Sequence, residues 1–255
     1  MVALLEEKRL SAKQDLALRL LFIVPLLVVV TKLPTAPTSD LFTRFFSLGD
    51  LPEKLQGRLR YILFVPLGAL IIVFFRLTLG IRVLGPFRSI LLAVAFQRTG
   101  IPFGLIFLAV VIATIVTARP LLRGIRLPYF GRVSVILSEV AVILIITLLA
   151  GEGLGSNALL GVVYFPIVAL CLTADSFARI RLKEGFRSAV WRGAMTALVA
   201  VLITFLSQIQ TLKAILLRFP ELLFAQIGCI VVIAKFLDFR LLHWLNPAVQ
   251  DKQTL

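Results

Sequence analysis

Long apolar runs separated by short basic loops make up most of the chain. The runs do not alternate apolar and polar residues, and most are too long for a strand, so the pattern favours helices. A helix needs about 20 residues to cross the hydrocarbon of a bilayer, and most runs approach that length. The pattern predicts eight membrane segments: Leu16–Val30, Tyr61–Leu79, Leu84–Gln97, Ile101–Ala118, Val133–Gly151, Gly153–Ala174, Gly193–Leu212 and Phe219–Leu237.

The third segment, Leu84–Gln97, differs from the others because it is short and carries Arg88. At 1.5 Å per residue it spans only about 21 Å, whereas the hydrocarbon core is about 30 Å thick. It is predicted to be either a tilted short span or a re-entrant half-helix. Helix-breaking residues that suit both alternatives flank it, namely Gly80, Gly85, Pro86, Gly100 and Pro102.

The composition agrees with a polytopic membrane protein. Hydrophobic residues are 60% of the 255, charged residues are 16%, and the mean hydropathy is +1.02. A soluble domain of this size leaves roughly a quarter of its surface wet, so it could not bury so much apolar surface. The class predicted is all-α, a transmembrane helical bundle in contact with the lipid bilayer. Soluble enzymes, nucleic-acid-binding domains and disordered chains are excluded.

The net charge of +14 comes from loops between the apolar runs. Loop Lys and Arg residues set membrane orientation and contact anionic head groups, so nucleic acid is not an expected partner. Most of these cations fall on the side of loops 119–132 and 179–192, which are therefore predicted to be cytoplasmic. The C-terminus is cytoplasmic as well, whether Leu84–Gln97 spans the membrane or re-enters it.

Residue patterns for catalysis are absent from the sequence. There is no HExxH, no GxSxG and no phosphate-binding glycine loop. The single histidine, His243, stands beside Trp244 at the end of the last segment and is expected to be an interfacial side chain. The protein is therefore predicted not to be an enzyme by itself, with no catalytic or metal-binding residues; the sequence leaves any cofactor unidentified.

Charged residues inside the apolar runs are the candidate functional groups, because such residues are costly and usually face the bundle or water. The predicted orientation brings five of them to a cytoplasmic-side layer: Arg76, Arg88, Arg119, Glu139 and Asp175. The layer is either an ion-pair network that fixes helix packing or a polar cavity for a small anion or peptide. Glu139 is expected to contact an arginine, with Arg88 or Arg76 the best candidates by depth.

Two further features concern the outer side and the helix faces. Glu221, beside Pro220, is either an acid interacting with a helix dipole or a proton or cation site on the outer side. Ala109, Ala113 and Thr117 form a stripe of small residues at four-residue spacing. Such stripes are typical of helices packed inside a bundle and, more rarely, of a surface for a partner.

From Tyr61 to about Leu245 the chain resembles the bacterial seven-helix membrane domain that is usually fused to an inactive transglutaminase-like domain. The residues that carry the resemblance are 81–104, IRVLGPFRSILLAVAFQRTGIPFG, together with Tyr164–Ile167 and Phe219–Leu223. A glycine-threonine-phenylalanine stretch of the family is replaced here by Gly85-Pro86-Phe87-Arg88.

The resemblance implies a bacterial inner-membrane protein with seven segments from residue 61 onwards and one helix before an extracytoplasmic domain. Four parts follow: an anchor helix in 1–32, a connection in 33–60, a seven-helix domain in 61–245 and a tail in 246–255. The connection is too short for a transglutaminase-like domain, so the function of that domain is either lost or supplied by another chain.

The function predicted from these features is that of a non-enzymatic scaffold or accessory subunit, which binds other membrane proteins. The alternative is a transporter or receptor for a small molecule or peptide that uses the charged layer. Transporters are expected to show inverted halves with broken helices. The sequence indicates one break, near residues 80–86, and no counterpart in the second half, which favours the scaffold.

Overall fold

Helices account for the secondary structure of the part of the chain that the structure describes, where no strand occurs. This computed structural model describes residues 12–32, 48, 52–124, 128–153, 155, 160 and 167–247. The helices are α1 (Ala12–Thr31), α2 (Glu53–Val73), α3 (Pro86–Thr99), α4 (Ile101–Gly124), α5 (Tyr129–Gly153), α6 (Ile167–Glu184), α7 (Phe186–Gln208), α8 (Gln210–Arg218) and α9 (Leu222–Phe236). The all-α prediction is confirmed.

Three of these helices are long and apolar enough to cross a membrane: α4 through Ile101–Ala118, α5 through Val133–Gly153, and α7. Helices α8 and α9 reach that standard only as a pair, and they are bent by 105° against each other. The apolar parts of α1 and α2, Leu16–Thr31 and Ile62–Thr78, are shorter. Of the predicted segment Gly153–Ala174, residues 154, 156–159 and 161–166 lie outside the described part, as does most of the predicted connection 33–60.

The second half of the chain contains a break that the sequence analysis missed. Phe219–Leu237 was expected to be one segment, but its helix starts at Leu222, after the 105° bend that follows α8. Pro220 explains the bend, because proline disfavours helical backbone at the residue before it. Phe219 accordingly has φ −125° and ψ 68°. The expectation of no break in the second half was wrong.

The first break also has a local cause. Helix α2 ends in one π-helical turn, Phe74–Thr78, and the chain then runs without helix until Pro86 starts α3. Proline suits the first helical position, where its missing N–H has no intrahelical partner to lose. Helix α3 matches the short predicted segment and, at 14 residues, stays too short to cross the bilayer upright.

Residue contacts divide the chain into two units. The first consists of residues Met1–Gly80 and Phe205–Leu241. Within it α9 packs against both α1 and α2. The approach of α9 to α1 is close, because a Cβ added at Gly228 would lie 2.9 Å from the ring of Phe22.

The second unit consists of residues Ile81–Thr204 and Leu242–Leu255 and is built around the short helix α3. Helices α4 and α6 pack on α3 and on each other, and the Thr204 hydroxyl of α7 donates to the Ala93 carbonyl at 3.2 Å. Small residues at Ala93 and Ala95, both 0% exposed, allow the neighbouring helices to approach. The shortest predicted membrane segment thus packs among longer helices of this unit.

Gly80 is required by its backbone and by its neighbour. Its φ is +76°, and an added Cβ would lie 2.9 Å from the Cα of Arg240. We expect Gly80→Ala to lower the free energy of unfolding by about 2 kcal/mol or more, since the left-handed conformation and the contact both penalise a side chain. Unfolding by sodium dodecyl sulfate measures the change.

Two matched glycine variants separate these causes. Gly100 has φ +81° with open space around it, so Gly100→Ala carries the backbone cost alone, about 1–2 kcal/mol. Gly153 has neither feature, so Gly153→Ala should not destabilise the protein. Equal stability of the Gly80 and Gly153 variants would contradict the packing described for Gly80.

Candidate functional site

A buried ion pair ties the end of α1 to the bend between α8 and α9. The Lys32 Nζ lies 2.8 Å from the Glu221 Oε2, with the two side chains 1% and 8% exposed. Lys32 Nζ also donates to the Arg218 carbonyl at 3.3 Å and lies 5.8 Å from the centre of the Phe219 ring. The Lys32 ammonium therefore contacts three groups of the bend: the carbonyl of Arg218 at the end of α8, the ring of Phe219 and the carboxylate of Glu221.

The Glu221 carboxylate is only half satisfied by these contacts. Its Oε1 is buried and has no hydrogen-bond partner in the described part of the chain. Glu221 occupies the N-cap position of α9, but its side chain makes no capping hydrogen bond. Its charge is balanced chiefly by Lys32, and one acceptor atom remains available.

Lys32 was not among the residues predicted for the outer-side site. The sequence analysis placed Glu221 there and did not single out Lys32, which follows the first predicted segment. If Leu84–Gln97 spans the membrane, both residues lie at the outer ends of their predicted segments and carry opposite charges, so equal depth was the signal that could have paired them.

The break before α3 is fastened by side chains of the second unit. The backbone N–H of Leu84 donates to the Thr196 Oγ1 at 2.8 Å, and that of Arg82 donates to the Asn246 Oδ1 at 3.1 Å. The Arg88 guanidinium donates to the Leu84 carbonyl. Non-helical backbone at membrane depth needs such partners, because hydrocarbon offers none.

The end of the π-helical turn is fastened in the same manner within the first unit. The backbone N–H groups of Arg240 and Leu241 donate to the carbonyls of Leu77 and Thr78 at 3.1 and 3.0 Å. Arg240 has a positive φ of 48°, and its Nε donates to the Asp238 Oδ1 at 3.0 Å. That hydrogen bond, with the charge of Asp238, raises the pKa of Arg240.

Of the predicted cytoplasmic-side layer, Arg88, Glu139 and Asp175 lie in the second unit. Asp175 pairs with Arg179 one turn along α6 at 2.7 Å. Arg76 belongs to the first unit and is exposed. The side chain of Arg119 lies outside the described part. The layer as a functional site therefore remains a prediction.

The expected contact between Glu139 and Arg88 is not formed. Glu139 is half-buried on α5 and makes no hydrogen bond or ion pair within the described residues, and Arg88 turns back onto its own helix start instead. The prediction assumed that equal depth would bring the two charges together. Helix α3, which carries Arg88, packs on α4 and α6.

A second charged cluster was missed by the sequence analysis. Glu184 and Arg192 form an ion pair across the turn between α6 and α7, and the Ser188 hydroxyl donates to the Glu184 Oε2 at 2.9 Å. Gly185, with φ +87°, makes the turn. The sequence analysis interpreted the charges of this loop only as determinants of membrane orientation. It did not consider that Glu184 and Arg192 could join the two helices.

The comparisons with known proteins give one family. No curated protein and no solved structure matches the chain. A family model described as seven transmembrane helices usually fused to an inactive transglutaminase matches residues 25–246. The matched range includes both helix breaks and the Lys32–Glu221 pair. The chain therefore belongs to this family of seven-transmembrane-helix proteins and is an integral membrane protein.

Proposed function

We propose that the protein is a non-enzymatic scaffold or accessory subunit of a membrane protein complex in the bacterial cytoplasmic membrane. The observation that supports this role best is that both helix breaks are occupied by groups of the chain itself. At one break the backbone N–H groups of Arg82 and Leu84 are bonded to side chains, and at the other Lys32 binds the bend.

Occupied breaks distinguish a scaffold from a transporter. In transporters the unwound backbone and the free helix ends coordinate substrate or ions near the middle of the membrane. Here the N–H of Leu84 and the carbonyl of Arg218 are bonded within the protein, and the Lys32–Glu221 pair is almost closed to solvent. Polar groups used in this way stabilise one arrangement of helices, as a binding platform requires.

Copurification tests this proposal. The tagged chain, extracted in two mild detergents, should bring down one or a few membrane proteins at a fixed molar ratio in both. An unrelated multi-pass protein with the same tag serves as the control for nonspecific capture. Recovery of a lone monomer that small molecules stabilise would count against the scaffold.

A small-molecule or peptide transporter or receptor is the second candidate. It is favoured by the bend that the structure reveals in the second half, and by the unpartnered Oε1 of Glu221. In this role the Glu221 Oε1 would bind a cation. Na⁺, compared with K⁺, should then raise the midpoint of thermal unfolding of the parent but not that of Glu221→Gln. A scaffold predicts no difference between the two cations.

The proposed orientation is tested separately. The loops around Gly124 and Lys183 should be cytoplasmic, because Lys and Arg residues are concentrated in them. Single cysteines at these positions, in a chain without Cys171 and Cys229, should resist an impermeant thiol reagent added to intact cells. Lys183 is chosen for the cysteine instead of the nearby Gly185, because the positive φ of Gly185 makes a substitution there costly. Labelling without permeabilisation would contradict the orientation.

A further inference from the structure

Two cavities lie side by side along α7 in the second unit. Their volumes are about 560 and 530 Å³. Phe186, Val190 and Ala194, at four-residue spacing and all exposed, line both cavities and form the ridge between them. One helix face therefore separates two adjoining grooves.

The first groove is apolar and narrow. Its far wall on α4 carries the stripe Ala109, Ala113 and Thr117, which is exposed here and not inside the bundle. The Thr117 hydroxyl donates to carbonyls of its own helix, so it offers the groove no donor. The occupant of this groove must be a hydrocarbon group.

The dimensions of the first groove fit a single hydrocarbon chain. From Leu105 to Thr117 the wall is about 18 Å long, which leaves a cross-section of roughly 30 Å² for the 560 Å³. A hydrocarbon chain, whose neighbours pack at about 4 Å, needs only roughly 20 Å².

The second groove has a polar end. Arg187 and Trp191 line it, and the buried indole N–H of Trp191 has no hydrogen-bond partner in the described part. Arg181 and Lys183 are exposed nearby along the chain, and the Arg181 guanidinium lies 5.8 Å from the centre of the Phe186 ring at the head of the ridge. Cations thus stand where the two apolar grooves meet the turn.

We propose that this face of α7 binds one anionic phospholipid from the leaflet on the side of the α6–α7 turn. One acyl chain lies in the first groove, between α4 and α7. The other lies in the second groove, on the opposite side of the ridge formed by Phe186, Val190 and Ala194. The phosphate faces Arg187, and the Trp191 side chain lines the groove beside it. The inference requires only that the protein be embedded in a membrane, and it holds for a scaffold or a transporter.

Native mass spectrometry of the full chain tests the site. The probes are dioleoyl phosphatidylglycerol and, with the same chains and no net charge, dioleoyl phosphatidylcholine. One phosphatidylglycerol per chain should survive delipidation, and retention should fall about fivefold in Arg187→Gln, as expected for one cation near the lipid surface. Arg76→Gln, the same change at an exposed cation that lines neither groove, should retain the lipid.

Blocking the groove tests the acyl chain separately. Ala113→Phe fills the first groove and should abolish retention, whereas Ala234→Phe makes the same change at an exposed alanine of α9 and should not. Since a blocked groove could also impair folding, fluorescence supplies a second measurement. In a Trp244→Phe background Trp191 is the only tryptophan, and phosphatidylglycerol with brominated chains should quench it at a lower mole fraction than brominated phosphatidylcholine.

Two results would overturn the proposal. Equal retention and equal quenching by the two lipids would exclude an anionic site. Loss of a dimer or of a copurified protein in Ala113→Phe, with phosphatidylglycerol retention unchanged, would assign the groove to a protein segment instead.

Discussion

Glu221→Gln is expected to destabilise the protein by about 3–5 kcal/mol, because it leaves the ammonium of Lys32 buried without its counter-charge. Lys32→Met should cost a similar amount by exposing the carboxylate to the same apolar surroundings. Unfolding in sodium dodecyl sulfate, followed by circular dichroism, measures the free energy. Glu139→Gln is the matched control: Glu139 is half-buried and forms no ion pair among the described residues, so the same substitution should cost less than about 1 kcal/mol.

The double variant Lys32→Met/Glu221→Leu separates the cost of an unpaired charge from the value of the pair. Replacing a buried ion pair by apolar groups of similar size is often neutral or stabilising, by about 1–4 kcal/mol. We therefore expect the double variant to recover most of the stability that either single variant loses. Additive losses would mean that the two residues do not act as a pair.

Gly104→Ala is expected to be the most damaging glycine substitution in the second unit. An added Cβ would overlap the Phe96 ring and lie 3.1 Å from the Thr99 hydroxyl, and Phe96 is 1% exposed. Overpacking of this kind costs about 1–3 kcal/mol or more, because the ring has no free space to enter. The same detergent unfolding assay measures the loss.

A second substitution tests whether the close approach of α3 and α4 is the cause. Phe96→Leu removes part of the ring that the new Cβ would meet, so Phe96→Leu/Gly104→Ala should be more stable than Gly104→Ala alone. An unchanged or larger loss would show that Gly104 is required for a reason other than its contact with Phe96.

The sequence predicted the helical class and most segment positions because apolar length is a strong signal in membrane proteins. Helix α3, for example, was expected from Leu84 to Gln97 and is found from Pro86 to Thr99. Helix α8 and the bend before α9 were missed because Lys213 and Arg218 interrupt the apolar pattern, so the stretch between Leu212 and Phe219 was interpreted as a connection between two segments. The structure makes most of this stretch helical and places the bend at Phe219 and Pro220.

The candidate site was predictable in part. Glu221 was identified because a carboxylate in an apolar run is costly, but its partner depends on which helix ends meet. The same limit explains the error at Glu139, where depth along the membrane was known and the direction of the side chain around the helix was not. The hydrogen bonds from Leu84 to Thr196 and from Arg82 to Asn246 could not be predicted. Nothing in the sequence pattern around Thr196 and Asn246 indicates that the fold brings them to the break.

The central proposal is that the polar groups at the breaks serve structure and not transport. The mass of the complex that the Lys32→Met/Glu221→Leu variant forms in mild detergent tests this proposal most directly. If the pair only fastens the bend, the variant should fold, unfold at the same or a higher temperature than the parent, and assemble into a complex of the parental mass. A folded variant of parental stability that no longer assembles would contradict the purely structural role of the pair. Loss of a Na⁺-dependent stabilisation present in the parent would contradict the scaffold and favour a ligand site at Glu221.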